Sequence, residues 1–115
     1  MLRSQLLKGT TELLILSVLE DEELHGYQVL QRIRERSGDA LAPSEGTLYP
    51  ALHRLEQRGA LDATWGPGES GPRRRYYRLT DAGAALLAEA RRDWDAYVTE
   101  VRMVAGALAP ARDRG

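Results

Sequence analysis

A chain of 115 residues, 43% hydrophobic and 29% charged, is sized for one folded domain with one modest core and is too apolar for a disordered segment. The absence of cysteine excludes a disulfide scaffold, a thiolate zinc site, an iron–sulfur cluster and a cysteine nucleophile. Net charge is −1, yet residues 24–80 hold nine arginines against six carboxylates, and Arg73-Arg74-Arg75 is the densest point of that positive stretch.

The first helix is expected over residues 11–20, with a start as early as Leu2. Its Leu13-Leu14-Ile15-Leu16 run leaves no polar face and marks it as central to the core. The apolar stretch from Leu13 to Leu19 is broken by Ser17 and is far too short to cross a bilayer. Acidic residues follow it in place of a small-residue cleavage site, so the expectation is a soluble cytoplasmic protein with no membrane partner. Residues 20–24 read as a polar break. A second helix is expected from Gly26 to Ser37, with Gly26, Val29, Leu30 and Ile33 on one stripe and Gly38 as its left-handed cap. A linker over residues 39–43 comes next.

The third helix has a clear start: Ser44 suits an N-cap, and Glu45 in the first turn suits the helix dipole. It is expected to end at Gly59. Spacing residues 100° apart puts Leu48, Ala51, Leu52 and Leu55 on one side and Gly46, Tyr49, Pro50, His53 and Gln57 on the other. Pro50 deletes one backbone hydrogen bond near the start, so a slight kink is expected. Residues 61–65 and 74–79 read as strands, in which Leu61, Ala63 and Trp65 alternate, as do Tyr77 and Leu79. The Gly- and Pro-rich stretch 66–72 between them reads as a hairpin loop. Thr80-Asp81 caps a last helix expected to run to about Leu108, ahead of Pro110, with 110–115 as a frayed tail.

Three helices followed by a two-stranded hairpin is the order of a winged helix-turn-helix, a mainly α fold with a small β-hairpin. The expected division is a DNA-binding unit over residues 1–80 and a dimerisation helix over 81–109. On that helix Leu87, Ala90, Trp94, Tyr97, Val101, Val104 and Leu108 are spaced three, four, three, four, three and four apart, an a/d seam over three heptads. The seam packs either on the same domain or on a second copy; pairing into a two-fold homodimer is the favoured expectation.

A recognition helix presents small and hydrogen-bonding residues to base edges. The outer face of the third helix offers Gly46, Tyr49, Pro50 and His53, flanked by Thr47 and Arg54, and Ser44 with the first-turn N–H groups can hold a phosphate. Glu45 either accepts from a cytosine amino group or simply favours the helix start, and His53 is either a groove contact or an ordinary exposed histidine. Arg73, Arg74 and Arg75 beside the tight loop read as a wing on the DNA backbone or in a minor groove. Tyr27 and Gln28 open the second helix, where phosphate contacts are common in this architecture. Gly66, Gly68 and Gly71 match the dinucleotide-binding G-x-G-x-x-G spacing, but Pro72 and a strand follow where a helix must begin. His25 and His53 lack metal-ligand spacing, and no Ser/His/acid pattern points to an enzyme, so neither metal, cofactor nor catalytic residue is expected.

Leu7-Lys8-Gly9-Thr10, His25-Gly26-Tyr27, the run from Ser44 to Glu56, the run from Arg73 to Thr80 and the closing Ala82-Gly83 together resemble the PadR family of bacterial transcriptional regulators. The resemblance covers roughly residues 5–108 and is to the short subclass with a single C-terminal helix. It implies a homodimeric repressor that binds an inverted-repeat operator and releases it when a small molecule binds. In some multidrug-responsive members a Trp on the last helix stacks with its dimer mate around flat aromatic compounds. That resemblance makes Trp94, with Tyr97 beside it on the seam, a candidate for effector contact, the alternative being plain interface packing. Pro72 departs from the family's usual wing. A second functional reading is a winged-helix protein-interaction module that has lost DNA and pairs its seam with another protein.

Overall fold

The computed structural model describes residues 2–106. In chain order the elements are α1 (Leu2–Val18), β1 (Leu24–His25), α2 (Gly26–Arg36), α3 (Glu45–Gln57), β2 (Leu61–Gly66), β3 (Arg74–Leu79) and α4 (Asp81–Ala105). Helices α1 to α3 pack against one another, and the antiparallel sheet, in the order β1-β3-β2, closes one side. The result is the expected winged helix-turn-helix followed by a long helix.

The core gathers Ile15, Leu16 and Leu19 with Val29 and Ile33 from α2 and Leu48, Leu52 and Leu55 from α3, capped by Leu61, Tyr77 and Leu87. Each fully buried leucine contributes about 1.5–3 kcal/mol, so the inward face of α3 is fixed by several such anchors. Centrality belongs only to the C-terminal half of α1. Leu2, its first residue, and Leu6, about one turn on, are 69% and 57% exposed. The helix also stops before the expected Glu20, because its end tightens: after the last four-residue bond, from Leu19 N–H to Ile15 O, Glu20 N–H donates only three residues back, to Ser17 O.

The supposed polar break contains a strand. Leu24 is buried and pairs with Tyr77, and His25 pairs with Tyr76. A two-residue strand is too short to show any periodicity, which is why alternation could not reveal it. In the hairpin, Leu61, Ala63 and Trp65 face Leu79, Tyr77 and Arg75 across the ladder. Burial fades along that face, from buried Leu61 through half-buried Ala63 to Trp65 at 61% exposed. The hairpin therefore projects past the edge of the body.

Three contacts fix the start of α4. Thr80 Oγ1 accepts from Gly83 N–H at 3.0 Å and donates to Gly59 O at 2.6 Å, while Thr80 N–H donates to Ala60 O at 3.1 Å. Gly83 lies so close to the Ala60 carbonyl that a Cβ there would sit 2.0 Å from its oxygen. Further along, Arg91 grips Glu20 with both terminal nitrogens, at 3.2 and 2.9 Å, and holds the carboxyl below its ordinary pKa. The helix ends at Ala105, short of the expected Leu108, because Gly106 turns to φ 83° and donates its N–H to Arg102 O. Its 25 residues span about 37 Å. Leu108 and the expected tail 110–115 lie outside the described residues. No helix among those described is long and apolar enough to cross a membrane.

Candidate nucleic-acid interface

The two sides expected of α3 are the two sides it has. Leu48, Ala51, Leu52 and Leu55 are fully buried, whereas Gly46, Tyr49, Pro50, His53 and Gln57 are exposed. Ser44 is the N-cap: its Oγ accepts from Thr47 N–H at 3.2 Å and donates to Thr47 Oγ1 at 3.1 Å. The N–H groups of the first turn point out of the helix end beside it, a favourable place for a phosphate. The ring tip of Tyr49 lies so near Gly26 of α2 that a Cβ there would meet Cε1 at 2.5 Å. Glycine at the start of α2 thus gives the exposed tyrosine its resting place. Arg54 turns toward α1 instead, and shares Glu12 with Arg58 at 3.3 and 3.0 Å.

The start of α2 is built around a histidine that spacing alone had not placed. His25 is the N-cap: its Nδ1 accepts from Gln28 N–H at 3.4 Å, and Gln28 Oε1 accepts from His25 N–H at 3.1 Å. Histidine is outside the usual set of capping residues, so this capping box carries no ordinary sequence signature. The ring meets Tyr76 edge-on at 5.4 Å. Burial, and then the nearby Arg74, push the imidazole pKa below its ordinary value, with Glu69 opposing. Gln28, expected at a phosphate, has its carbonyl oxygen occupied by the cap and only its amide nitrogen to offer. Tyr27 is half exposed, and a polar groove of about 200 Å³ separates it from Glu69 and Arg74 of the wing.

The three wing arginines do three different things. Arg73 donates to the Trp65 carbonyl at 3.2 Å. Arg74 is exposed and has no ion-pair partner among the described residues. Arg75, expected on DNA, is instead paired with Glu56 of α3. The strand pleat explains the split, since Arg75 shares the inward face with Tyr77 while Arg74 and Tyr76 face the other way. On that outer face Tyr76 Oη donates to Pro67 O at 2.7 Å, which ties the loop down beside Pro72.

The expected seam of α4 divides. Leu87 is buried in its own domain and Ala90 half-buried, but Trp94, Tyr97, Val101 and Val104 are 42%, 60%, 42% and 92% exposed. Two grooves flank Trp94, of about 430 and 280 Å³, both lined by Leu6, Thr10 and Leu13 of α1. The contribution of Leu6 was missed because the start of α1 shows no sharp amphipathic pattern of its own.

The model of the Transcriptional regulator PadR-like family matches residues 15–89. The chain belongs to that family. As a PadR-like protein it is a DNA-binding transcriptional regulator and not an enzyme. A transcriptional regulator of Mycobacterium tuberculosis is 40% identical over 94 residues, covering 82% of this chain and 84% of its own. Among solved structures, a transcriptional regulator from Clostridium thermocellum is similar at TM-score 0.79 and 28% identity, over 86% of this chain and 96% of that one. A PadR family regulator from Eggerthella lenta is similar at TM-score 0.76 and 32% identity, over 90% and 88% of the two chains. The PadR-like match includes the whole of α2, α3 and the hairpin, and so every residue assigned above to the DNA side.

Proposed function

We propose that this regulator acts as a homodimeric repressor: two copies pair through α4, and the two α3 helices read the halves of an inverted-repeat operator. The observation that carries the reading is the exposed apolar row Trp94, Tyr97, Val101 and Val104 on a helix too long for its own domain. Exposure of this kind on one face favours association. A two-fold axis through such a row matches the symmetry of a palindromic site. Recognition falls to Gly46, Tyr49, Pro50 and His53, with Ser44 and Thr47 at the helix start. Phosphates fall to Arg73, Arg74 and the Tyr27 end of α2. Repression, and release by a flat aromatic effector lying between the two Trp94 rings with Tyr97 beside it, is what likeness to the short subclass adds. The apolar grooves beside Trp94 are compatible with that placement.

Sequences selected by the intact protein from a random duplex pool test the reading. The expected product is an inverted repeat with half-site centres about one helical turn, or a multiple of it, apart. Light scattering in parallel should give twice the 12.8 kDa chain mass. A monomer, or a pool that shows no enrichment, refutes it. Quenching of Trp fluorescence by planar aromatic cations, lost in Trp94→Phe, tests the effector; failure of every planar cation or phenolic removes that part alone.

A further inference from the structure

We infer that Arg75 is a positioning residue which, through Glu56, holds the wing at a set angle to α3 and so determines where Arg73 and Arg74 reach. The inference rests on the DNA-reading role just proposed. It departs from the simpler expectation that all three arginines touch phosphate.

Four observations carry it. Arg75 lies on the inward face of β3, across the ladder from Trp65 and two residues from buried Tyr77. Its Nη2 donates to Oε2 of Glu56, in the last turn of α3, and this is the one ion pair between α3 and the hairpin among the described residues. Arg75 Nε and Glu56 Oε1 are buried and neither has a hydrogen-bond partner among the described residues, so the two side chains are joined through Nη2 and Oε2 alone. The pair is also more enclosed than the hairpin's other ion pair: side-chain exposure is 40% and 24% for Arg75 and Glu56, against 52% each for Arg78 and Asp62.

Apolar packing does not fix the outer hairpin, since beyond half-buried Ala63 the next residue on that face is exposed Trp65. A charge-assisted hydrogen bond is directional, unlike an apolar contact, and suits the task of setting an angle. It also draws Arg75 away from the surface on which Arg74 stands.

Replacing Glu56 separates this role from its rival. If Glu56 merely held Arg75 back from phosphate, Glu56→Gln would free a cation and remove an anion near DNA, and binding would tighten. If the pair is a brace, the same change loosens the wing and binding weakens despite the lost repulsion. The experiment compares full-length native protein, Glu56→Gln, Arg75→Gln and the double variant on the duplex that the native protein selects from a random pool. Glu56→Asp, which keeps the charge but shortens the reach, is the second line should a Gln variant lose its cooperative melt. The expected result is about tenfold weaker binding for each single variant, equivalent to about 1.4 kcal/mol, and a double variant no weaker than either single, as coupled groups require. Hydrogen exchange at residues 64–76 should quicken while α1 and the start of α4 stay protected. Equal or tighter binding by Glu56→Gln, additive losses, or unchanged wing exchange overturns the brace. A native protein that selects no sequence refutes the DNA reading instead, and wing exchange then judges the brace without DNA.

Discussion

Gly26→Ala separates reading from folding at a single methyl group. Gly26 is the first residue of α2, and a Cβ there would lie 2.5 Å from Tyr49 Cε1, 3.0 Å from Cζ and 3.1 Å from Oη. Carbon atoms in contact prefer about 3.5–4.0 Å, so the ring tip must retreat by about 1 Å. It has room to do so, because Tyr49 is 42% exposed and every crowded atom belongs to the far end of its ring. Forcing the ring off its rotamer costs about 0.5–1.5 kcal/mol, while exchanging glycine for alanine at a helix position returns up to about 1 kcal/mol. Stability should thus change by less than about 1 kcal/mol in urea denaturation. A hydrogen bond from Oη to a base does not survive a 1 Å retreat, and its net worth is about 0.5–1.5 kcal/mol. Discrimination between the selected duplex and single-base-pair variants should fall by roughly two- to twelvefold at one position per half-site. Tyr49→Phe, which deletes the hydroxyl alone, should reproduce that loss. A destabilisation above 2 kcal/mol would show that the ring belongs to the core, and undiminished discrimination would show that it does not read DNA.

Gly83→Ala is the steric counterpart, for its Cβ would stand 2.0 Å from the Ala60 carbonyl oxygen, which is backbone and cannot swing aside. Overpacking together with damage to the Thr80 cap should cost about 2–4 kcal/mol in urea denaturation; less than 1 kcal/mol would mean that α4 slides freely on the body. Arg74→Gln should weaken binding to all duplexes alike and lower the log K against log salt slope by about 0.9 for each phosphate the arginine neutralises, twice that in a dimer; an unchanged slope removes Arg74 from the backbone contacts. Burial and Arg74 lower the His25 pKa in the fold, so the unfolded chain takes up its proton first as pH falls, near the ordinary value of about 6.5. Its contribution to stability is complete above that pH and declines as pH drops toward the lowered folded value. His25→Asn, which keeps a capping acceptor, should flatten the stability profile below about pH 6.5, and a profile unaltered by the change refutes the assignment.

Helices with long apolar stripes were legible because burial imposes a period: the four-residue inward face of α3 and the Ser44 start were readable from 100° spacing and capping chemistry alone. Reach across the fold was not. The period-two pattern placed Trp65 correctly on the face of Leu61, but no local pattern says where the body ends beneath that face. Likewise Arg73, Arg74 and Arg75 look equivalent in a row. Only the ladder register and the nearness of Glu56, 19 residues away in sequence, distinguish them. The capping role of His25 was hidden for the opposite reason, since the interaction is local but uses a residue type outside the usual capping set.

The charge pattern gains a different meaning once partners are known. Arg54 and Arg58 tie α1 to α3 through Glu12, Arg32 holds Glu22, Arg75 joins β3 to α3, Arg78 joins the two hairpin strands, and Arg91 joins α4 to the end of α1. Exposed pairs of this sort add about 0–1 kcal/mol each, so their main effect is alignment between elements. The positive excess counted over residues 24–80 is therefore largely internal. Arg73 and Arg74 remain as the wing cations turned toward solvent, the first leaning on the Trp65 carbonyl and the second without a carboxylate among the described residues. Since counterion release follows the cations that meet phosphate and not the total in the chain, a chain of net charge −1 can bind a polyanion. If Arg73 and Arg74 are the phosphate contacts proposed above, affinity depends on how well those few arginines are placed, and the angle of the wing should matter more than the number of its charges.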